Sequence, residues 1–216
     1  MPKEPYLFID EDDKKRNEVI LFVRDATPDA WHDCASELRN SAELLWKDRS
    51  NSLRVEAVEG WELDENGQLE AKAESKKIYS VSRSYFLLAG FALENLLKGY
   101  LVAANPSLIT DGTLSKDIKT HKLSILFKKI EGFELDSQES EFCSIAEQAI
   151  PYWGRYPVPL TFSKVVPEVG LTDELRQGFL TVYDRLDERL YEKIRDGWDS
   201  GVGVKLHKID DPKYDT

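Results

Sequence analysis

"YFLLAGFALENLLKGYLVAA", Tyr85 to Ala104, is the most apolar stretch of the chain. Its length would span a membrane, but Glu94, Asn95 and Lys98 interrupt it within five residues, and charges at that depth of a bilayer are costly. A helix apolar nearly all round belongs instead at the centre of a helical bundle, where each face meets another helix. The stretch therefore predicts a buried core helix from about Lys76 to Ala104, stopped by Asn105-Pro106. Glu94 and Lys98 stand at i and i+4, the favourable order for an ion pair. Two readings fit them: an internal pair at the bundle surface, or a polar notch beside a ligand site.

On either side lie sequences that would pack around such a helix. In "TPDAWHDCASELRNSAELLWKDR", residues 27–49, Thr27 is placed to cap and Pro28 takes the tolerated first position. Trp31, Leu38, Ala42 and Leu45 give that helix one apolar stripe. "THKLSILFKKIEG" predicts a short helix capped by Thr120. "DSQESEFCSIAEQAI" predicts another, with Asp136 and Glu139 at capping-box spacing and Phe142, Ile145, Ala146 and Ala149 facing inward. The last long helix starts after Thr172 and carries Leu175, Phe179, Val182, Leu186, Leu190 and Ile194 on its stripe.

Strand signals are few. "YLFI" and "VILFV" (6–9 and 19–23) flank a charged run and predict two short strands. Residues 51–73 surround "DENG", whose Asn66-Gly67 pair signals a hairpin. Val202, Val204 and Leu206 alternate in the tail and suggest an edge strand. The fold expected is all-α: a helical bundle with small β-hairpin appendages near the N-terminus and at residues 51–73. Its divisions are a strand-like extension at 1–26, a helical domain at 27–198 with an insertion at about 50–73, and a tail at 199–216.

Hydrophobic residues form 41% of the 216-residue chain, enough for a sizeable core. The net charge of −11 repels polyphosphate at long range, so any nucleic-acid contact must be local and made by a few lysines or arginines. The N-terminus lacks the basic-then-apolar order of a signal peptide, and the cytoplasm is the default compartment. Cys34 and Cys143 form no CxxC or disulfide pattern, and His32 beside Cys34 has no second ligand pair. The bland reading makes His32 half-exposed and Cys34 a core residue. No phosphate loop, HExxH or GxSxG is present, and no metal or cofactor is expected.

The densest punctuation is "IPYWGRYPVPL", Ile150 to Leu160. Pro151 is placed to kink or end the preceding helix, Gly154 permits a special backbone angle, and Pro157 and Pro159 stiffen the exit. Arg155 lies between Trp153 and Tyr156, whose faces suit a guanidinium. It either braces helix carbonyls or an acid such as Glu94, or contacts a phosphate. His121, at a helix start, is either a neighbour of the cap or a proton carrier.

Three stretches in this order, "YFLLAGFALENLLKGYLVA", "THKLSILFKK" and "AIPYWGRYPVP", resemble the HEPN superfamily (higher eukaryotes and prokaryotes nucleotide-binding), specifically its bacterial members. They correspond to the long A-x-E-x-x-L-K helix, the G-H-x-L helix start with Thr120 in place of glycine, and the W-x-G-R-Y-P corner. The likeness covers about residues 76–197. It implies an all-α bundle, commonly a homodimer, that binds RNA or a nucleotide in a phage-defence or toxin–antitoxin system, with a cognate antitoxin protein as a further partner. Many members are metal-independent ribonucleases in which an Arg steadies the scissile phosphate and a His four to six residues on moves a proton. Here "YPVPLTF" follows Arg155 with no His in range, and the seven residues between Arg24 and His32 are one too many and lie outside the likeness. Enzymatic activity therefore stays open. In a catalytic member Arg155 would hold the phosphate and His121 would be the proton carrier. Glu94, Lys98, Trp153 and Tyr156 would line the ligand site. The alternative is a non-catalytic protein–protein interaction or dimerisation module.

Overall fold

A computed structural model describes residues 11–63, 65–152 and 169–208. Among them the chain is mostly helical, with two small antiparallel hairpins. The helices are α1 (Glu11–Asp25), α2 (Pro28–Asp48), α3 (Ser82–Ala104), α4 (Leu123–Phe127), α5 (Ser137–Tyr152) and α6 (Asp173–Ile194). Strands β1 (Leu53–Leu63) and β2 (Leu69–Tyr79) pair antiparallel, and β3 (Trp198–Asp199) pairs with β4 (Lys205–Leu206). The predicted Asn66-Gly67 turn is present, with Gly67 at φ +77°, the left-handed region that glycine enters without penalty.

Two expectations fail. Val19–Val23 lies in α1, not in a strand. Asp12 and Asp13 lie in its first turn, where acids complement the dipole. Val19 and Val23 are one turn apart, and Val23 is fully buried while Leu21 between them is exposed. The second failure is the start of α3. Residues 76–79 belong to β2, paired with Leu53–Glu56, and Ile78 is buried while its neighbour Lys77 is exposed, the alternation of a strand. The helix begins only at Ser82, whose buried hydroxyl donates to Tyr79 O at 2.7 Å and accepts from Leu171 N.

The chain divides into two compact units, and α2, α3 and α6 contribute residues to both. Residues 36–93 and 134–182 form one. Its centre is aromatic: Tyr85, Phe86, Phe142 and Phe179 are wholly buried, with ring centroids 5.2–6.1 Å apart along the cluster. Such tilted and edge contacts add to the area each ring removes from water. The caps predicted here form. Asp136 Oδ1 accepts from Glu139 N while Glu139 Oε2 accepts from Asp136 N, and Thr172 Oγ1 accepts from Leu175 N. All six predicted stripe residues of α6 are buried. Pro151 does not stop α5 before it; the proline sits inside the helix, which the described residues follow to Tyr152.

Residues 1–35, 94–133 and 183–216 form the other unit. Leu96, Leu97 and Val102 of α3 meet a core that includes Leu186 and Leu190 of α6 and Leu123 and Leu126 of α4, all fully buried. The segment between α3 and α4 turns at Asn105, whose carboxamide accepts from Ser107 N, and is pinned by buried Ile109 and Ile118. Helix α3 is long and apolar enough to cross a membrane, but 67% of its most apolar window is buried within the protein.

Gly178 of α6 marks the tightest approach to α5. A Cβ there would stand 2.7 Å from the carbonyl oxygen of Gln138. Glycine to alanine inside a helix ordinarily stabilises by about 0.5–1 kcal/mol. Here the sign reverses: overpacking against a rigid backbone costs about 1–3 kcal/mol, so Gly178→Ala lowers the unfolding free energy measured by urea denaturation.

Candidate functional site

Glu94 and Lys98 are 5% and 6% exposed, although they lie on the apolar helix α3. Lys98 Nζ donates to Glu94 Oε1 at 2.6 Å. The ammonium also stands 5.8 Å from the ring centroid of Trp31, which donates its indole N–H to Ala26 O. Gly99 makes that placement possible, since a Cβ there would come within 3.0 Å of Trp31 Cβ and 3.3 Å of Pro28 O. A buried ion pair persists only when its remaining hydrogen-bonding capacity is met.

The further partner is His121, 27 residues along the chain. Its Nδ1 lies 3.0 Å from both Glu94 oxygens. Buried Ile118 and Leu123 fix the backbone on either side of it, and Thr120 Oγ1 accepts from Lys122 N. Thr120 thus braces the turn before α4, while the cap position itself falls to Lys122. A carboxylate engaged by a lysine accepts hydrogen bonds, so Nδ1 carries the hydrogen and Nε2 is left for a ligand. The imidazole is 65% exposed. Lys98, Glu94 and His121 therefore form a chain that runs from a buried cation to an exposed ring nitrogen. An arrangement of this kind fixes the tautomer and the orientation of the ring.

Of the six site residues expected from sequence, these three are brought together. Arg155, Trp153 and Tyr156, and with them the corner at 153–160, lie outside the described residues.

Sequence reasoning missed a second dyad. His32 Nε2 lies 2.7 Å from Oδ1 of Asp187, which is 3% exposed. The two residues are 155 positions apart, and the usable signal was the placement of Asp187 one turn from buried Tyr183 on α6. The hydrogen bond to Asp187 raises the His32 pKa above its ordinary value, against the opposing effect of partial burial. Cys34, expected in the core, is exposed, because α2 turns Ala35 inward instead. Cys143 is buried, and desolvation pushes its thiol up to about 12, which leaves it protonated and unreactive at neutral pH.

In the other unit Arg176 forks onto Glu43, with Nε 3.1 Å from both oxygens, and the Tyr85 hydroxyl donates to the same carboxylate at 3.3 Å. The guanidinium carbons of Arg49 and Arg176 lie 3.4 and 5.1 Å from the Trp46 ring centroid. These groups satisfy one another and hold α2 to α6 within that unit. Among the described residues no group of three or more His, Cys, Asp or Glu side chains is arranged to hold a metal ion.

No protein-family model, curated protein or solved structure matches the chain.

Two outcomes test this geometry. Removing one partner of a buried ion pair costs about 3–5 kcal/mol. Lys98→Met therefore destabilises the protein by that order, and adding Glu94→Gln recovers a large part of the loss, as a double-mutant cycle by urea denaturation will read. The second outcome concerns pH. The pKa of folded His32 lies above the unfolded value near 6.5, so its contribution is fully present below that pH and is lost as pH rises through the folded pKa. The gap in melting temperature between the wild type and His32→Gln is wider at pH 6 than at pH 8.5.

Proposed function

We propose that this protein is a HEPN-like helical module that binds RNA or a nucleotide, as a homodimer, in a bacterial phage-defence or toxin–antitoxin system. The observation that carries the reading is the exposed imidazole of His121, held through Nδ1 by a buried carboxylate that is itself paired with Lys98. An exposed histidine needs no buried charge to stabilise a fold, and burying Glu94 and Lys98 is costly. That cost is understandable where the ring must present Nε2 in one orientation to a ligand. A second reading, which rests on His121 among the described residues, is metal-independent RNA cleavage in which His121 moves the proton and Arg155 holds the phosphate.

The test uses the full chain with a fluorescent single-stranded RNA oligonucleotide and with ATP. Binding at micromolar concentration supports the module, and absence of binding to both probes ends the proposal. If the protein also cleaves, His121→Ala lowers the rate by about 10²–10⁴-fold, the usual contribution of a proton-transferring side chain, with RNA affinity changed little. A melting temperature equal to that of the wild type shows that the loss is chemical.

A further inference from the structure

The acidic balance of the chain hides a local reversal. Lys116, Lys119, Lys122, Lys128 and Lys129 fall within the segment that leads into and out of α4, against a single acid, Asp117. All five lysines are exposed. Not one forms an ion pair or a side-chain hydrogen bond with another described residue. Arg24, Arg176 and Lys205 are engaged, with Asp25, Glu43 and Asp199, whereas Lys14, Lys15 and Lys47 are also unpaired among the described residues; what sets this segment apart is five lysines within fourteen residues. His121 lies within the lysine segment, between Lys119 and Lys122. The segment is also firmly held, because Ile118, Leu123, Leu126, Phe127 and Ile130 point into the core and leave the lysines outward.

We infer that this lysine face is the track for the sugar–phosphate backbone of a single RNA strand, which it lays across His121. The inference rests on the proposal that the protein binds RNA, and it adds where and by what chemistry. Five uncompensated ammonium groups suit a chain of phosphates, because each neutralised phosphate releases counterions. Screening at physiological salt limits each charge to about 8 Å, so the face acts on a nearby strand while the acidic remainder goes unfelt. A narrow, flexible strand can follow so local a path. A flat anionic membrane needs a broader basic surface than fourteen residues of a chain with net charge −11 supply. Membrane docking further calls for a row of exposed apolar side chains, and within 116–129 the one exposed large hydrophobic residue is Ile125. Ile125, exposed on α4 three residues after Lys122, offers an apolar contact to a sugar or base.

The experiment compares two neutralised pairs, Lys119→Gln/Lys122→Gln and Lys128→Gln/Lys129→Gln, with an equal change elsewhere, Lys14→Gln/Lys15→Gln, on exposed positions of α1. Each full-length variant is titrated with a fluorescent single-stranded RNA across a range of salt concentrations. Each face pair is expected to weaken binding about tenfold at 0.1 M salt and to flatten the log–log salt slope by about 1.4, at about 0.7 per phosphate contact in a single strand. The α1 pair should leave both nearly unchanged, and all melting temperatures should match. If the wild type binds RNA and the three pairs behave alike, the lysine face is not the track, while the RNA-binding proposal survives. If the wild type binds no RNA but binds phosphatidylserine vesicles in a way the face pairs abolish, the face serves a membrane, and both this inference and the RNA reading fall. Binding to neither probe overturns both as well.

Discussion

Lys98 and Glu94 meet at 2.6 Å inside the most apolar helix of the chain. Two charges can remain there only as a pair whose spare capacity is also met, since an uncompensated buried charge costs several kcal/mol. Lys98 answers one side of Glu94 and lies beside the Trp31 ring. The carboxylate's other partner comes from His121. The electrostatics of α3 thus reach the segment between α3 and α4, which must return a side chain to Glu94. The backbone complies because Ile109, Ile118 and Leu123 are buried around the turn. Charge satisfaction and apolar anchoring act on the same residues, and the exposed imidazole inherits its orientation from both.

The helices were legible where the signal is local. Thr172 three residues before Leu175, and Asp136 three before Glu139, announce helix starts by chemistry that needs no distant partner. The stripe of α6 reads directly at three- and four-residue steps. What misled was short apolar sequence. Val19–Val23 has the length and composition of a strand, and only the helix-forming charged run before it and the inward turn of Val23 distinguish the two. Residues 76–79 erred the other way. Their strand state depends on pairing with Leu53–Glu56, twenty to twenty-six positions away, and no local pattern encodes that register.

The candidate site divides along the same line. Glu94 and Lys98 at i and i+4 on an apolar helix are a local signal, and their pairing was readable. That His121 completes the pair was not, because it depends on a turn spanning 27 residues. His32 and Asp187 are a harder case, joined only where α2 and α6 meet. The lysines of 116–129 were plain in the sequence but hidden by the average: a net charge of −11 describes the chain and says nothing of how its charges are grouped.

An acidic protein that groups five exposed lysines within fourteen residues handles a polyanion differently from a uniformly basic one. Under the proposed reading, the lysines attract a strand only within a screening length, and the negative balance of the chain disfavours poses that stray from them. Repulsion of the wrong poses contributes to selectivity as much as attraction of the right one. The imidazole gains from this arrangement because it stands within the lysine segment, so a strand that satisfies the ammonium groups passes over His121. Glu94 supplies what the lysines cannot. Ammonium groups on flexible stems hold a backbone without fixing its register, whereas a ring tied at Nδ1 to a buried carboxylate holds Nε2 at one point. Mobile charges to gather the strand and one immobile nitrogen to meet it make a division of labour. The buried pair on α3 explains that division more directly than the demands of stability alone.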